Sequence, residues 1–119
     1  IEPRADRAAN IAANADALGV SHRLTLVTGA APDALAGLDA ADAIFVGGGL
    51  SPALLDAVTA LPARLVINAV TLEGEAWLSA AQAEHGGDLM RIEIANAKPL
   101  GRKRGWATAY PVVQWSLTR

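Results

Sequence analysis

Residues 41–70, ADAIFVGGGLSPALLDAVTALPARLVINAV, decide the fold of this chain. A continuous apolar run ends on three glycines and predicts a strand that is buried on both faces. Ser51 is placed as an N-cap and Pro52 at the first helical position, so a helix follows. The stretch 64–70 predicts a second buried strand, and this strand-helix-strand order indicates parallel pairing. The helical side chains expected to face inward are Leu54, Leu55, Val58 and Leu61.

The same alternation extends towards the N-terminus. Residues 5–18 carry apolar side chains at helical spacing, and Gly19 stands where a left-handed cap belongs. The β-rich run 23–29 predicts a strand, whereas residues 32–38 allow a short helix at most.

Towards the C-terminus the rhythm changes. Residues 72–87 predict a helix closed by two glycines. The runs 88–97 and 106–117 then predict two strands with no helix between them, hence an antiparallel pair. The whole order indicates an α/β fold: a mostly parallel sheet with helices on both faces and a C-terminal antiparallel hairpin.

Composition bounds the function. At 119 residues and 52% hydrophobic content the chain fits one domain, and its net charge of -2 gives no general reason to expect nucleic acid or an anionic membrane. The absence of cysteine excludes disulfides, thiolate metal sites and a cysteine nucleophile, and it fits a cytoplasmic location. No apolar run approaches the ~20 residues of a membrane span.

Several small or acidic residues lie where strands end. Glu2 could accept hydrogen bonds from both hydroxyls of a ribose, or it could simply stabilise the helix that follows. Residues 29–31 leave a slot that an adenine could fill, or a loop kept small by packing. The glycines at 47–49 allow close approach to a ligand but are more often a tight turn. The candidate cofactor-binding residues are Glu2, Pro3, Gly29, Ala30, Ala31 and Gly47.

A second group could contact a substrate. Asn68 and Thr71 follow a central strand, where open α/β sheets bind ligands, although Asn68 could equally fix a loop. Lys98 and Arg102 belong to a basic cluster in the terminal hairpin that suits a small polyanion or is merely solvated. With Gly48 and Gly49, these four residues are the candidate substrate-binding residues. His22 and His85 lack the spacing of metal ligands, so no metal site is predicted, and no catalytic residue is identified.

The stretches IEPRADRAANIAANADALGV, TLVTGAAPDAL, AIFVGGG, VINAVTLE and ANAKPL resemble the C-terminal methyltransferase module of the decarboxylating precorrin methyltransferases of cobalamin biosynthesis. This resemblance covers essentially the whole chain. It implies a class I methyltransferase (Rossmann-like) sheet with strand order 3-2-1-4-5-7-6. Residues 1–119 would then be the C-terminal part of one domain, whose first strand and glycine-rich cofactor loop lie upstream of Ile1.

The resemblance also implies a reaction. S-adenosylmethionine would be the cofactor, with Glu2 on its ribose and Ala31 beside its adenine. Ala30 replaces an acidic residue that relatives commonly carry, so a side-chain bond to the adenine is not expected. The implied reaction is methylation of carbon 15 of a precorrin with decarboxylation of the ring C acetate, while a second module would methylate carbon 5.

The resemblance implies partners as well. The carboxylates of the tetrapyrrole would meet Lys98 and Arg102, and the chain would form a homo-oligomer, most simply a tetramer. Residues 110–117 could be one contact surface, although a buried strand explains their apolar character equally well. Two other functions stay open at this stage. The first is a class I methyltransferase acting on another small molecule or on RNA, and the second is a nucleotide-binding module without catalysis.

Overall fold

A computed structural model describes residues 1–118 and divides the chain into two compact units, Ile1–Ala40 and Ala41–Arg119. The regular elements are α1 (Ala5–Ala17), β1 (Ala43–Val46), α2 (Pro52–Thr59), β2 (Arg64–Ala69), α3 (Leu72–His85), β3 (Asp88–Ile92), β4 (Ala95–Leu100), β5 (Lys103–Thr108) and β6 (Val112–Leu117). Two short 3-10 turns occur at Ser21–Arg23 and Asp33–Leu35.

In the first unit the predicted helix is confirmed and the predicted strand is not. Helix α1 ends as predicted, with Gly19 at φ +69°. The expected strand at 23–29 is wrong: the segment forms one parallel bridge, between Glu2 and Thr28. A ladder needs a partner of matching length, and the partner here is cut short by Pro3, which has no N–H, and by the start of α1.

The second unit is built on a four-stranded sheet with the order β1-β2-β6-β3. Strands β1 and β2 are parallel, and β6 runs antiparallel to both β2 and β3. The last strand of the chain is thus inserted between two earlier ones, which confirms the 4-5-7-6 half of the expected order. Strand β1 has β2 as its one ladder partner among the described residues of this unit.

The core of the second unit lies between this sheet and α3. Its largest fully buried side chains come from α2, α3, β2 and β6, and burying each contributes about 1.5–3 kcal/mol. The indole of Trp115 stacks on His85 with ring centroids 6.1 Å apart, and its Nε1 donates to the carbonyl of Gly86 at 2.9 Å. These fully buried side chains are Trp115, Leu65, Ile67, Leu78 and Val58.

Three predictions for this unit need correction. Phe45 is 67% exposed, so β1 is not buried on both faces, and burial instead alternates along the strand. Leu61 is 39% exposed because α2 ends at Thr59, two residues earlier than the apolar pattern suggests. The two C-terminal runs form four strands rather than two.

The four C-terminal strands form two separate ladders. β3 pairs with β6 inside the main sheet, whereas β4 pairs with β5 in a two-stranded ribbon of its own. Both long runs break at the same level, one at Glu93–Ile94 and the other at Ala109–Pro111. Pro111 has no N–H, so a continuous ladder would lack a donor at this level. The expected antiparallel pairing is correct and the expected number of strands is wrong.

Candidate functional site

Backbone hydrogen bonds join Glu2 to the turn after residue 27. Its N–H donates to the carbonyl of Val27 at 3.0 Å, and its carbonyl accepts from Gly29 N–H at 3.2 Å. The half-buried side chain accepts from the backbone N–H of Arg4 through Oε1 at 2.9 Å. Arg4 precedes the first residue of α1, so this bond holds the Glu2 carboxylate near the N-terminus of the helix, and Oε2 has no partner among the described residues. The two readings of Glu2 are therefore compatible with one carboxylate.

Residues 29–31, where a slot was predicted, form part of a tight loop in the first unit. A side chain on Gly29 would come within 3.2 Å of the Ala34 Cβ, and Ala30 O accepts from Ala34 N–H at 2.9 Å. Ala30 is exposed and Ala31 is half-buried. The structure thus brings Glu2 and Gly29 together and leaves one small apolar wall at Ala31, while Pro3 is exposed beside them.

Of the predicted residues of the second unit, those at 47–49, 68 and 71 follow the ends of β1 and β2 at one edge of the main sheet. Val46 and Ile67 are register partners in parallel strands, so Gly47 and Asn68 follow at the same level. A Cβ on Gly47 would come within 2.9 Å of the ring of Phe45, an exposed side chain that can turn aside, so the space does not by itself require glycine there. Gly49 has φ +69°, whereas Gly48 is open. This edge holds the carboxyl ends of the parallel strands, where such sheets bind ligands.

Thr71 has a structural task at this edge. Its Oγ1 accepts from the N–H of Gly74 at 3.1 Å and so caps α3, as Ser51 caps α2 through the N–H of Leu54 at 3.2 Å. A capping hydroxyl keeps a donor proton of its own, because only its oxygen is engaged. The sequence placed Thr71 correctly but missed the cap.

Sequence reasoning also missed Gln114. Its Nε2 donates to Oδ1 of Asn68 at 2.9 Å, and both side chains are half-buried. Gln114 lies 46 positions further along the chain, and one lone glutamine within an apolar strand gives no signal of its partner. The pairing follows from the insertion of β6 beside β2.

The ribbon of β4 and β5 leaves the main sheet at this same edge. Ala69, Val113 and Arg91 stand level across the sheet, and β3 then runs on into β4. The ribbon turns at Gly101, whose φ of +58° suits a two-residue hairpin loop that also contains Arg102. Lys98 and Arg102 are both exposed, on a ribbon about 20 Å long.

A shallow cleft of about 270 Å³ opens at the base of this ribbon. Its walls come from the two segments where the long runs break, including Glu93, Ile94, Thr108 and Pro111. Another groove, of about 210 Å³, lies between α2 and α3. Neither cavity is lined by a predicted site residue, and the cleft lies where the ribbon leaves the main sheet.

Each unit has an arginine that pairs with carboxylates at its surface. The bidentate contact with Asp6 raises the pKa of Arg4, and the Arg4 guanidinium lowers the pKa of the Asp6 carboxyl. Hydrogen bonding to Glu93 and the charge of Glu75 raise the pKa of Arg91. None of these groups lies among the predicted ligand-binding residues, and residues 1–118 contain no cluster of three side chains suited to a metal ion. Within the same described range, no helix is long and apolar enough to cross a membrane.

Comparisons with known proteins give the family of this chain. A family profile described as a precorrin methyltransferase domain matches residues 1–119. A curated relative, "Precorrin-6Y C(5,15)-methyltransferase [decarboxylating]" from Sinorhizobium sp, is 50% identical over 123 residues, which cover 100% of this chain and 30% of the relative. The chain therefore spans about a third of the length of this relative.

Solved structures agree with that match. The C-terminal domain of precorrin-6Y C5,15-methyltransferase from Rhodobacter capsulatus superposes with a TM-score of 0.93 at 52% identity, covering 99% of this chain and 66% of that chain. A domain of a putative precorrin-6Y C5,15-methyltransferase from Corynebacterium diphtheriae gives a TM-score of 0.88 at 36% identity, covering 99% and 72%. The fold is therefore that of precorrin methyltransferase structures.

Proposed function

Since the chain belongs to the precorrin methyltransferase domain family, we propose that it is part of an enzyme that methylates a precorrin with S-adenosylmethionine and decarboxylates it. The proposed methyl acceptor is carbon 15, and the proposed leaving carbon dioxide comes from the acetate on ring C. The observation that carries this proposal is 50% identity along the whole chain to a decarboxylating precorrin-6Y methyltransferase.

The first unit fits the nucleoside half of S-adenosylmethionine. Oε2 of Glu2 is available for the ribose hydroxyls while Oε1 keeps its bond to Arg4 N–H. Gly29 and Ala31 leave a small apolar surface against which an adenine could lie. When bound, the cofactor supplies a methyl group that its positive sulfur has already activated.

The residues of this chain then have to bind and orient the substrate, because the cofactor carries the activated methyl group. The glycines at 47–49 allow close approach of a ligand to the backbone, and Asn68 and Thr71 present polar groups at the same edge of the sheet. Their proposed role is to orient the macrocycle so that its reacting carbon faces the methyl group and water stays outside. Proper alignment is the main requirement for a methyl transfer of this kind.

The ribbon supports the choice of a polycarboxylate substrate. Lys98 and Arg102 are exposed cations on a chain whose net charge is -2, and the ribbon starts from the ligand-binding edge. A guanidinium binds a carboxylate through two parallel hydrogen bonds, which a precorrin side chain can accept.

Self-association is part of the same proposal. The β4–β5 ribbon has no third strand among the described residues, and Trp106 on it is 77% exposed. A lone two-stranded ribbon is marginal in water, so pairing with other copies, most simply in a tetramer, would stabilise it. Residues 110–117 contribute less than expected to such a surface, because Val113, Trp115 and Leu117 are buried in the core. A cytoplasmic location is also proposed, and cell fractionation tests it.

The decisive experiment incubates the full-length protein with methyl-labelled S-adenosylmethionine and the late precorrin. We expect label in the tetrapyrrole together with release of carbon dioxide. Lys98→Gln and Arg102→Gln should each raise KM for the precorrin, whereas Arg64→Gln, an exposed cation at the opposite end of β2, should not. A folded protein that binds S-adenosylmethionine but transfers no label would refute the proposal, and competition by tRNA would favour an RNA substrate.

A further inference from the structure

Two amide side chains are joined across neighbouring strands at the ligand-binding edge. Asn68 in β2 and Gln114 in β6 are direct register partners, and Nε2 of Gln114 donates to Oδ1 of Asn68 at 2.9 Å. The side chain of Ala69 faces Gly74 of α3, so that of its neighbour Asn68 points to the other face of the sheet. The amide pair therefore lies on the face that α3 does not cover.

This face is accessible on both sides of the pair. On one side of the pair lies Phe45 of β1, one position before the register partner of Ile67, and it is 67% exposed. On the other side lies Met90 of β3, the register partner of Gln114, which is 49% exposed. Asn68 itself stands level with Gly47, at the carboxyl end of the parallel strands. A ligand that reaches this edge can thus approach the amide pair.

The hydrogen bond leaves a defined set of free groups. A primary amide carries two donor hydrogens and one acceptor oxygen. Because Oδ1 of Asn68 is occupied by Gln114, Nδ2 keeps both hydrogens, and it has no partner among residues 1–118. Without Gln114 the terminal torsion of Asn68 would be nearly two-fold, and Oδ1 would face the ligand as often as Nδ2 does.

We infer that Gln114 is a positioning residue, which holds Asn68 so that Nδ2 donates a hydrogen bond to a carboxylate of the substrate. This inference rests on the proposed function, which supplies a polycarboxylate tetrapyrrole. An amide oxygen in place of Nδ2 would repel that carboxylate, so the orientation of Asn68 selects the substrate. The strand insertion that defines this half of the sheet provides the residue that fixes the orientation.

The test uses three variants of the full-length protein: two single substitutions of Gln114 and one exchange of Asn68 with Gln114. Gln114→Met keeps the length of the side chain without its hydrogen bond and should raise KM for the precorrin about tenfold, with kcat and S-adenosylmethionine affinity little changed. Gln114→Glu should raise KM further, because a carboxylate accepts from Nδ2 and turns Oδ1 towards the substrate. The exchange Asn68→Gln with Gln114→Asn restores an amide pair and should recover much of the affinity.

Two further measurements separate the possible failures. Ser116→Ala changes a half-buried polar residue on the same face of β6 and should leave KM unchanged. Direct binding of an octacarboxylate porphyrin, followed by fluorescence quenching, should weaken about tenfold in Gln114→Met. Equal porphyrin binding in wild type and Gln114→Met, with lower thermal stability alone, would overturn the inference. If the wild-type protein binds the porphyrin but transfers no methyl group to the precorrin, the proposed function is refuted instead.

Discussion

The carboxylate of Glu2 meets two demands at once. One oxygen accepts from Arg4 N–H beside the N-terminus of α1, and the other is free for the proposed ribose contact. The two roles can be separated by chemistry, because glutamine keeps an oxygen for Arg4 N–H but loses the charge and the second acceptor.

Glu2→Gln should therefore weaken S-adenosylmethionine binding about tenfold with little change in stability, since one charged hydrogen bond is lost. Calorimetric titration of the full-length protein measures this. Asp6→Asn is the control, because Asp6 is an exposed carboxylate of the same helix that pairs with Arg4. Equal cofactor affinity in Glu2→Gln and wild type would show that Glu2 serves only the local structure at the start of α1.

Thr71 poses a similar question at the start of α3. Thr71→Ala removes the cap and should lower the free energy of unfolding by about 1 kcal/mol, whereas Thr71→Ser retains the hydroxyl and should not. Urea unfolding measures both, with Ser79→Ala in the middle of the same helix as control. If Thr71→Ala raises KM for the precorrin without loss of stability, Thr71 serves the substrate and not the helix.

At the scale of elements, the approach of α3 to β2 depends on one glycine. A Cβ on Gly74 would come within 2.7 Å of the Ala69 Cβ, which is fixed to the strand backbone and cannot turn aside. This close approach lets the start of α3, capped by Thr71, pack directly against the end of β2.

Gly74→Ala should therefore destabilise the protein by about 1–3 kcal/mol, although alanine has the better helix propensity. Gly37→Ala is the matched control, because a Cβ there meets nothing within 4 Å and its φ is not positive. Thermal unfolding compares the two. A stabilising effect of Gly74→Ala would mean that α3 and β2 can separate at little cost.

At the scale of the whole molecule, the ribbon of β4 and β5 is the part that the chain does not cover by itself. Every residue of β4 is exposed, and Trp106 of β5 presents a large apolar ring to solvent. Such an edge invites pairing with another copy.

Leu100→Ser together with Trp106→Ser should shift the full-length protein from the proposed homo-oligomer to smaller species in sedimentation velocity. Leu72→Ser is the control, because Leu72 is also highly exposed but lies at the start of α3, outside the ribbon. An unchanged sedimentation coefficient in the double variant would remove the ribbon from the assembly.

Sequence alone determined the local features of this chain. The cap at Ser51, the left-handed glycine after α1 and the glycine run after β1 all follow from backbone and capping preferences that act within a few residues. The antiparallel ending and the 4-5-7-6 order also followed, because the resemblance to precorrin methyltransferases supplied a topology.

Tertiary structure decided what depends on partners distant in sequence. The run at 23–29 looks like a strand but forms one bridge, because a ladder exists only where a second strand is available. Phe45 is apolar yet exposed, since burial depends on what covers a face. Gln114 finds Asn68 across 46 positions of sequence, a contact that no local pattern encodes and that strand insertion alone creates.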